Sequence, residues 1–557
     1  MQCSSAKAPI ETVFTLPGPP PKFAVTSPQL MASTSYPNEL AVLSSPTVAE
    51  PVATKIAEKH SYGEILKSSV LVGGSSFLNI GISIVRTKAI AILLGPSGFG
   101  LFGLFGSVAD LTQGLAGLGV NSSGVRQIAE SVGTGDELQI ARTAAVLRRT
   151  SIVLGLLGAT FLLLLSGPVS RLTFGSAREA AAVALLSLAV LLRLISAGQS
   201  ALIQGTRRIA DLAKMNVLGA LFGLFTSVPL VYVFRERGVV PSLISVAAMT
   251  LLTSWWYSRK ISIRKTTVTL TQICQEAREL LKLGSVFMAS GFMTMGVAYF
   301  IRITILHEVG FAATGLYQSA WNLGGFYVGI ILQAMGADFY PRLTASINNK
   351  EEANRLVNEQ TLVGMLVAGP GVLATLSFAP LLIALFYSAK FGAAVGVLRW
   401  ICLGAMLQVI TWPMGFITIA KGRQGFFFFS EFAWTMVAVA LALFCVKHYG
   451  LEGAGVAFFG SYVFHAVLTY PIARHMTGFR WSSHNFRTGT VFFVVIAFVF
   501  ATFYVLPTTW AAGIGALTSV ITTAYSVKTL LTLSSSEGFP RPLRRLLGTE
   551  RYSHLES

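Results

Sequence analysis

Residues 491–506 read VFFVVIAFVFATFYVL, sixteen positions without a charge, and a stretch of this kind decides the fold. Comparable runs recur at 70–84, 151–166 and 180–192. Each approaches the roughly 20 residues that carry an α-helix across about 30 Å of hydrocarbon. They are continuously apolar and lack the alternation of about ten residues that marks barrel strands. In lipid only helices then satisfy the backbone, so the expected fold class is all-α and polytopic. Composition agrees: 53% of the 557 residues are hydrophobic and 12% charged, against roughly a quarter charged in soluble domains. So few charges cannot clothe a water-facing surface.

Apolar windows predict fourteen helices, at 68–94, 99–122, 150–167, 179–204, 215–234, 239–258, 282–306, 311–336, 359–378, 393–420, 425–446, 452–473, 489–506 and 509–531. With both termini inside, the inner segments from Lys55 onward hold 29 Lys and Arg and the outer loops hold 6. That excess is the one cytoplasmic loops carry. The net charge of +18 is therefore spread over short loops and does not form a basic domain, and no nucleic-acid partner is expected. Cys3, Cys274, Cys402 and Cys445 lie far apart, without metal-ligand spacing or a disulfide framework, so no metal or other cofactor is expected. Residues 1–60 are rich in Pro, Ser, Thr and Ala and predict a disordered extension.

Sliding the chain against itself by 216 residues brings Arg86 onto Arg302, Arg126 onto Arg342 and Arg207 onto Arg423, while Gly100-Leu101-Phe102 meets Gly315-Leu316-Tyr317 one residue out of step. The offset spans six predicted helices, an even number, so the two halves enter the membrane in the same sense, related by an axis along its normal. The predicted organisation is a first six-helix bundle at 61–275, a second at 276–480, two added helices at 481–531 and a basic tail at 532–557. Transporters built from such repeats hold substrate between the halves and rock them for alternating access. Arg541, Arg544 and Arg545 in the tail suit contact with the inner leaflet.

The candidate site residues are the ionisable groups within predicted helices, since a central Arg costs on the order of 2.5–3.5 kcal/mol on insertion scales and such residues face a cavity or a partner. Arg86, Lys88, Arg193, Arg302 and Arg399 stand against Asp110 and Glu431, so mutual pairing leaves positive charge over. Ser75, Asn79, Ser83 and Arg86 fall along one face of the first helix, a polar lining on an otherwise apolar element. Lys88 lies on another face and reads as a snorkelling residue. A cavity with surplus fixed positive charge selects anions, and the planar guanidinium fork suits phosphate. Arg86, Arg302, Arg193 and Asn79 are therefore the expected substrate-binding residues. Asp110 and Glu431 are the expected ion-coupling residues, with His465 behind them, because acids and imidazoles at bilayer depth form proton relays; a salt bridge to an arginine explains either acid almost as well. Gly98-Phe99-Gly100-Leu101-Phe102-Gly103 matches a dinucleotide fingerprint but follows no strand, and is expected to let helices approach closely. No catalytic constellation is evident, so no enzyme is expected.

Val85-Arg86-Thr87-Lys88, then Leu94-Gly95-Pro96, Gly117-Leu118-Gly119 and the run from Ser122-Ser123-Gly124-Val125-Arg126 to Gln127-Ile128-Ala129-Glu130 resemble the opening of the Wzx family of O-antigen and polysaccharide flippases. That family belongs to the multidrug/oligosaccharidyl-lipid/polysaccharide exporter superfamily. The resemblance implies translocation of undecaprenyl-diphosphate-linked oligosaccharide across the bacterial inner membrane, driven by an ion gradient and without covalent chemistry. It implies membrane lipids, an anionic lipid-linked oligosaccharide and the polysaccharide polymerase and chain-length machinery as partners. Its rivals are a lipid II flippase and a multidrug exporter of the same superfamily, the latter calling for acidic residues in the lumen. A polysaccharide polymerase or ligase would carry a long outer loop, and every predicted outer loop is short.

Overall fold

The computed structural model describes residues 52–261 and 269–533; the Pro-rich extension up to residue 51 and the basic tail from residue 534 lie outside the described residues. All regular structure among the described residues is helical. The packing lies within one compact unit that begins at Gly63. The first repeat comprises α1 (Val52–Gly117), α2 (Val120–Thr134), α3 (Glu137–Leu164), α4 (Ser166–Phe174), α5 (Ala180–Gly205), α6 (Ile209–Phe234) and α7 (Val239–Ser258). The second comprises α8 (Leu270–Glu308), α9 (Phe311–Ser346), α10 (Lys350–Ser377), α11 (Ala379–Phe386), α12 (Ala394–Ala420) and α13 (Gln424–Thr477). Then come α14 (Ser483–Val505) and α15 (Thr508–Leu533), which pack on α10. Gly369 there receives the Phe492 ring, and Gly515 meets Ser377.

Nine helices among the described residues are long and apolar enough to cross a membrane. Three of them, Gly74–Gly117, Ile209–Ser258 and Gln424–Thr477, each take up two of the predicted spans. Residues 52–60, expected within the disordered extension, form the first turns of α1; their Ala, Lys, Ile and Glu are competent helix formers and include no glycine. Many hydroxyls inside the helices are satisfied by their own backbone, as Ser107 and Thr112 are by the carbonyls of Gly103 and Val108 at 2.8 Å each. That arrangement lets a polar side chain sit in an apolar span.

The repeat is written into the backbone. Gly95 (φ 65°, ψ −175°) divides α1, and Gly310 (φ 108°, ψ 178°), 215 residues on, separates α8 from α9. Arg235 (φ 52°, ψ −128°) between α6 and α7 recurs as Gly450 (φ 59°, ψ −137°) inside α13. The left-handed turn at Arg207 recurs as Gly422, again at 215. The starts of α3 and α10 also correspond: Asp136 accepts from Leu138 and Gln139, and Asn349 accepts from Glu351 and Glu352.

Gly95 and Gly310 occupy a region that only glycine visits without strain, at a cost of about 1–3 kcal/mol for other residues. A Cβ would meet nothing within 4 Å at either position. Gly95→Ala and Gly310→Ala should therefore lower stability by similar amounts through backbone strain alone, measured as the thermal midpoint in detergent. A loss at one position and none at the other would separate the two turns.

The two repeats meet through equivalent glycines. A Cβ on Gly100 would collide with the carbonyl of Phe311, and one on Gly315 with the carbonyl of Pro96. Phe311 and Gly315 stand 215 residues after Pro96 and Gly100, so the contact is reciprocal, as an isologous interface requires. The pseudo-twofold axis passes here, and the Gly-Phe-Gly run has the close-packing role its sequence suggests. At the other end of the same limb, Gly119 and Gly284 oppose each other just as tightly.

Candidate functional site

Between those two glycine contacts the second limb of α1 runs along the second repeat, and a cavity of about 320 Å3 opens beside it. Asp110, Gln113 and Asn121 face Met288, Phe292 and Met295 of α8 across this space. Gly114 brings α8 close, since a Cβ there would stand 3.1 Å from the Met295 sulfur. The Asp110 side chain is 58% exposed and accepts a 2.7 Å ionic hydrogen bond from Nη1 of Arg193 on α5, whose side chain is 23% exposed.

Arg86 comes from the first limb of α1, half-buried. It reaches Gly223 of α6, where a Cβ would lie 3.7 Å from its Nη1. It lies within electrostatic range of Arg193 and makes no hydrogen bond or ion pair among the described residues. Arg302, its counterpart on α8, is 8% exposed. Its Nε donates to Oε1 of Gln318 at 2.6 Å and its Nη1 to the carbonyl of Ala298 at 2.8 Å. Gln318 in turn donates to Asn322 at 2.7 Å, and Asn322 approaches the Tyr387 hydroxyl at 3.4 Å. Arg302 is also within electrostatic range of Tyr317 and Asp110.

Four residues singled out in the sequence thus form one group: Asp110 interacts with Arg193 and Arg302, and Arg193 with Arg86. One guanidinium, Arg193, pairs with the carboxylate directly, Arg302 of the second repeat acts on it through space, and Arg86 is linked to the group only through Arg193. The pairing realises the salt bridge that competes with an ion-coupling role for Asp110. Asn79 is half-buried on the same limb as Arg86 and has no contact that ties it to the group. Glu431 lies elsewhere, within electrostatic range of Tyr462 on the other limb of α13. Trp434, Tyr462 and His465 pack ring against ring there. Trp434 Nε1, Thr435 Oγ1, His465 Nδ1 and Thr469 Oγ1 are buried without hydrogen-bond partners among the described residues. Arg399 is separate again, its guanidinium 3.5 Å above the Phe503 ring. The Gln318–Asn322–Tyr387 chain escaped the sequence reading. The spacing of Gln318 and Asn322, four apart on an apolar helix, was its only signal.

This all-helical fold of two related halves is that of the multidrug/oligosaccharidyl-lipid/polysaccharide exporter superfamily. A lipid II flippase, MurJ, in an inward closed conformation superposes with a TM-score of 0.62 at 14% identity, covering 83% of this chain and 99% of that one. An inward-facing multidrug resistance MATE transporter gives 0.57 at 18% identity over 72% and 98%. The chain belongs to the polysaccharide biosynthesis protein family, whose profile matches residues 89–396. The lipid III flippase of Escherichia coli (strain K12) is 22% identical over 419 residues, 72% of this chain and 95% of that protein. The family resemblance drawn from residues 85–130 is borne out.

Proposed function

We propose that the protein is a flippase for an anionic lipid-linked oligosaccharide, an O-antigen or exopolysaccharide repeat unit on undecaprenyl diphosphate. In this reading Arg86 and Arg302 hold the diphosphate from opposite repeats while the polyprenyl tail stays in lipid, and rocking about the Gly100–Gly315 contact exposes the site to each side in turn. The observation that carries it is the linked group of Arg86, Arg193 and Arg302 from both repeats with a single aspartate, Asp110, which pairs with Arg193 alone. An excess of guanidinium over carboxylate in the group suits a diphosphate and opposes an organic cation. The relatives' names, a lipid III flippase among them, point the same way. Transport of this kind needs no bond to be made or broken.

Arg193 is the switch in this scheme. Asp110 and the diphosphate compete for the same guanidinium, so a proton arriving on Asp110 releases Arg193 to the substrate. The test is Asp110→Asn, which should transport without dependence on the proton gradient when export of labelled lipid-linked units is followed in membrane vesicles. Retained dependence would return the coupling role to Glu431, beside its unpartnered Trp434, Thr435 and His465, or to another ion.

A further inference from the structure

A second basic feature takes no part in the site described above. A cleft of about 760 Å3 between α3, α5 and α7 is lined by Arg148, Arg149 and Arg259 together with Gln199, Trp255 and Ser258. The three arginines are exposed, and the Arg259 guanidinium lies 4.5 Å over the Trp255 ring. No acidic residue lines the cleft, and none of the three makes an ion pair among the described residues. Neighbouring arginines differ: Arg142 is held by Glu276 at 3.7 Å and Arg208 by Asp211 at 2.6 Å. Like charges facing one another across a cleft repel, and an anion between them removes that cost.

The position identifies the anion. Arg148 and Arg149 lie in the first half of α3 and Arg259 caps the end of α7, so the cleft lies toward the helix ends that carry the basic loops, where a bilayer spanned by these helices would place its headgroups. On α7 just beyond it, Leu252 and Trp256 are 53% and 61% exposed, an apolar outer face with indoles where interfacial belts form. Gly198, packed on Ser151, lines both this cleft and the central cavity, while none of the three arginines lines the latter. The positions 215 residues later are Val363, Gly364 and Arg474, so the feature belongs to one repeat and is not demanded by the shared fold.

We infer that this cleft binds the phosphate headgroup of an anionic membrane lipid at the surface of the first repeat. Its guanidinium forks take the phosphate and its outer face takes the acyl chains, as basic pockets between membrane helices do. The inference is independent of the transport reading, since Arg86→Ala/Arg302→Ala should leave it intact.

The experiment is native mass spectrometry and thermal melting of the purified full-length protein titrated with phosphatidylglycerol, phosphatidylcholine or inorganic diphosphate. Phosphatidylglycerol should be retained and should raise the melting midpoint, while phosphatidylcholine should do neither. Arg148→Ala/Arg149→Ala should weaken phosphatidylglycerol binding by at least about tenfold. Arg148→Lys/Arg149→Lys, with charge kept, should recover part of it. Arg171→Ala/Arg178→Ala, the same loss of charge at the other end of the bundle, should bind as wild type. Equal binding by all variants, or an equal loss in the Arg171/Arg178 variant, would overturn the proposal. Occupancy by inorganic diphosphate with no retained phosphatidylglycerol would assign the cleft to a soluble anion and overturn it as well.

Discussion

Arg302→Gln should reduce export of lipid-linked substrate by roughly ten- to a hundredfold, the range that follows from losing a charge-assisted contact of about 1.5–3 kcal/mol. The protein should still reach the membrane in normal amount. Arg302 is buried, its Nε is spent on Gln318 and one Nη on Ala298, so its fork is held rigidly with donors left over. Arg302→Lys should not restore export, because an ammonium cannot hold Gln318 through Nε and present a second planar donor pair. Export is read as surface polysaccharide in a strain lacking its own flippase, with membrane content of the variant measured alongside. Export within twofold of wild type would remove Arg302 from the substrate site.

Gly315→Val should abolish export, and Gly100→Val should match it. At each position a Cβ collides with a backbone carbonyl of the other repeat, Pro96 for Gly315 and Phe311 for Gly100, and a carbonyl cannot turn aside as a side chain can. The two repeats would be wedged apart where the axis passes, at a cost of about 1–3 kcal/mol or more. Gly325→Val on the same helix α9 is the control, because a Cβ there meets nothing within 4 Å. Export should stay near wild type in that variant. Wild-type export by Gly315→Val would place the hinge elsewhere.

The all-α membrane fold was legible because its signal is long and local: twenty apolar residues read the same wherever they fall. The arginines were legible for the opposite reason, as exceptions inside such runs. What pairs with what was not. Asp110 and Arg193 are 83 positions apart, and nothing in either neighbourhood announces the other. The Tyr387 hydroxyl reaches Asn322 from a turn after α11, a contact that only the folded backbone creates. The repeat showed in the sequence as matched arginines at 216, yet the firmer register is 215, carried by backbone angles at Gly95, Gly310, Arg235 and Gly450. One of those four is an arginine in a conformation that favours glycine, so residue identity hid the correspondence. Arg148, Arg149 and Arg259 were legible as basic residues of the expected inner loops, but their convergence on one cleft depends on the packing of α3 against α7 across α5.

The proposed flippase presents guanidinium groups from two repeats to one diphosphate. The most direct measurement of this is the affinity of the purified protein for a short-chain prenyl diphosphate-linked sugar and for the matching uncharged prenyl glycoside. The diphosphate should bind and the neutral compound should not, and Arg86→Ala/Arg302→Ala should weaken diphosphate binding by roughly a hundredfold or more. Equal affinity for the two compounds, or undiminished binding by the double variant, would mean that these arginines do not hold a diphosphate.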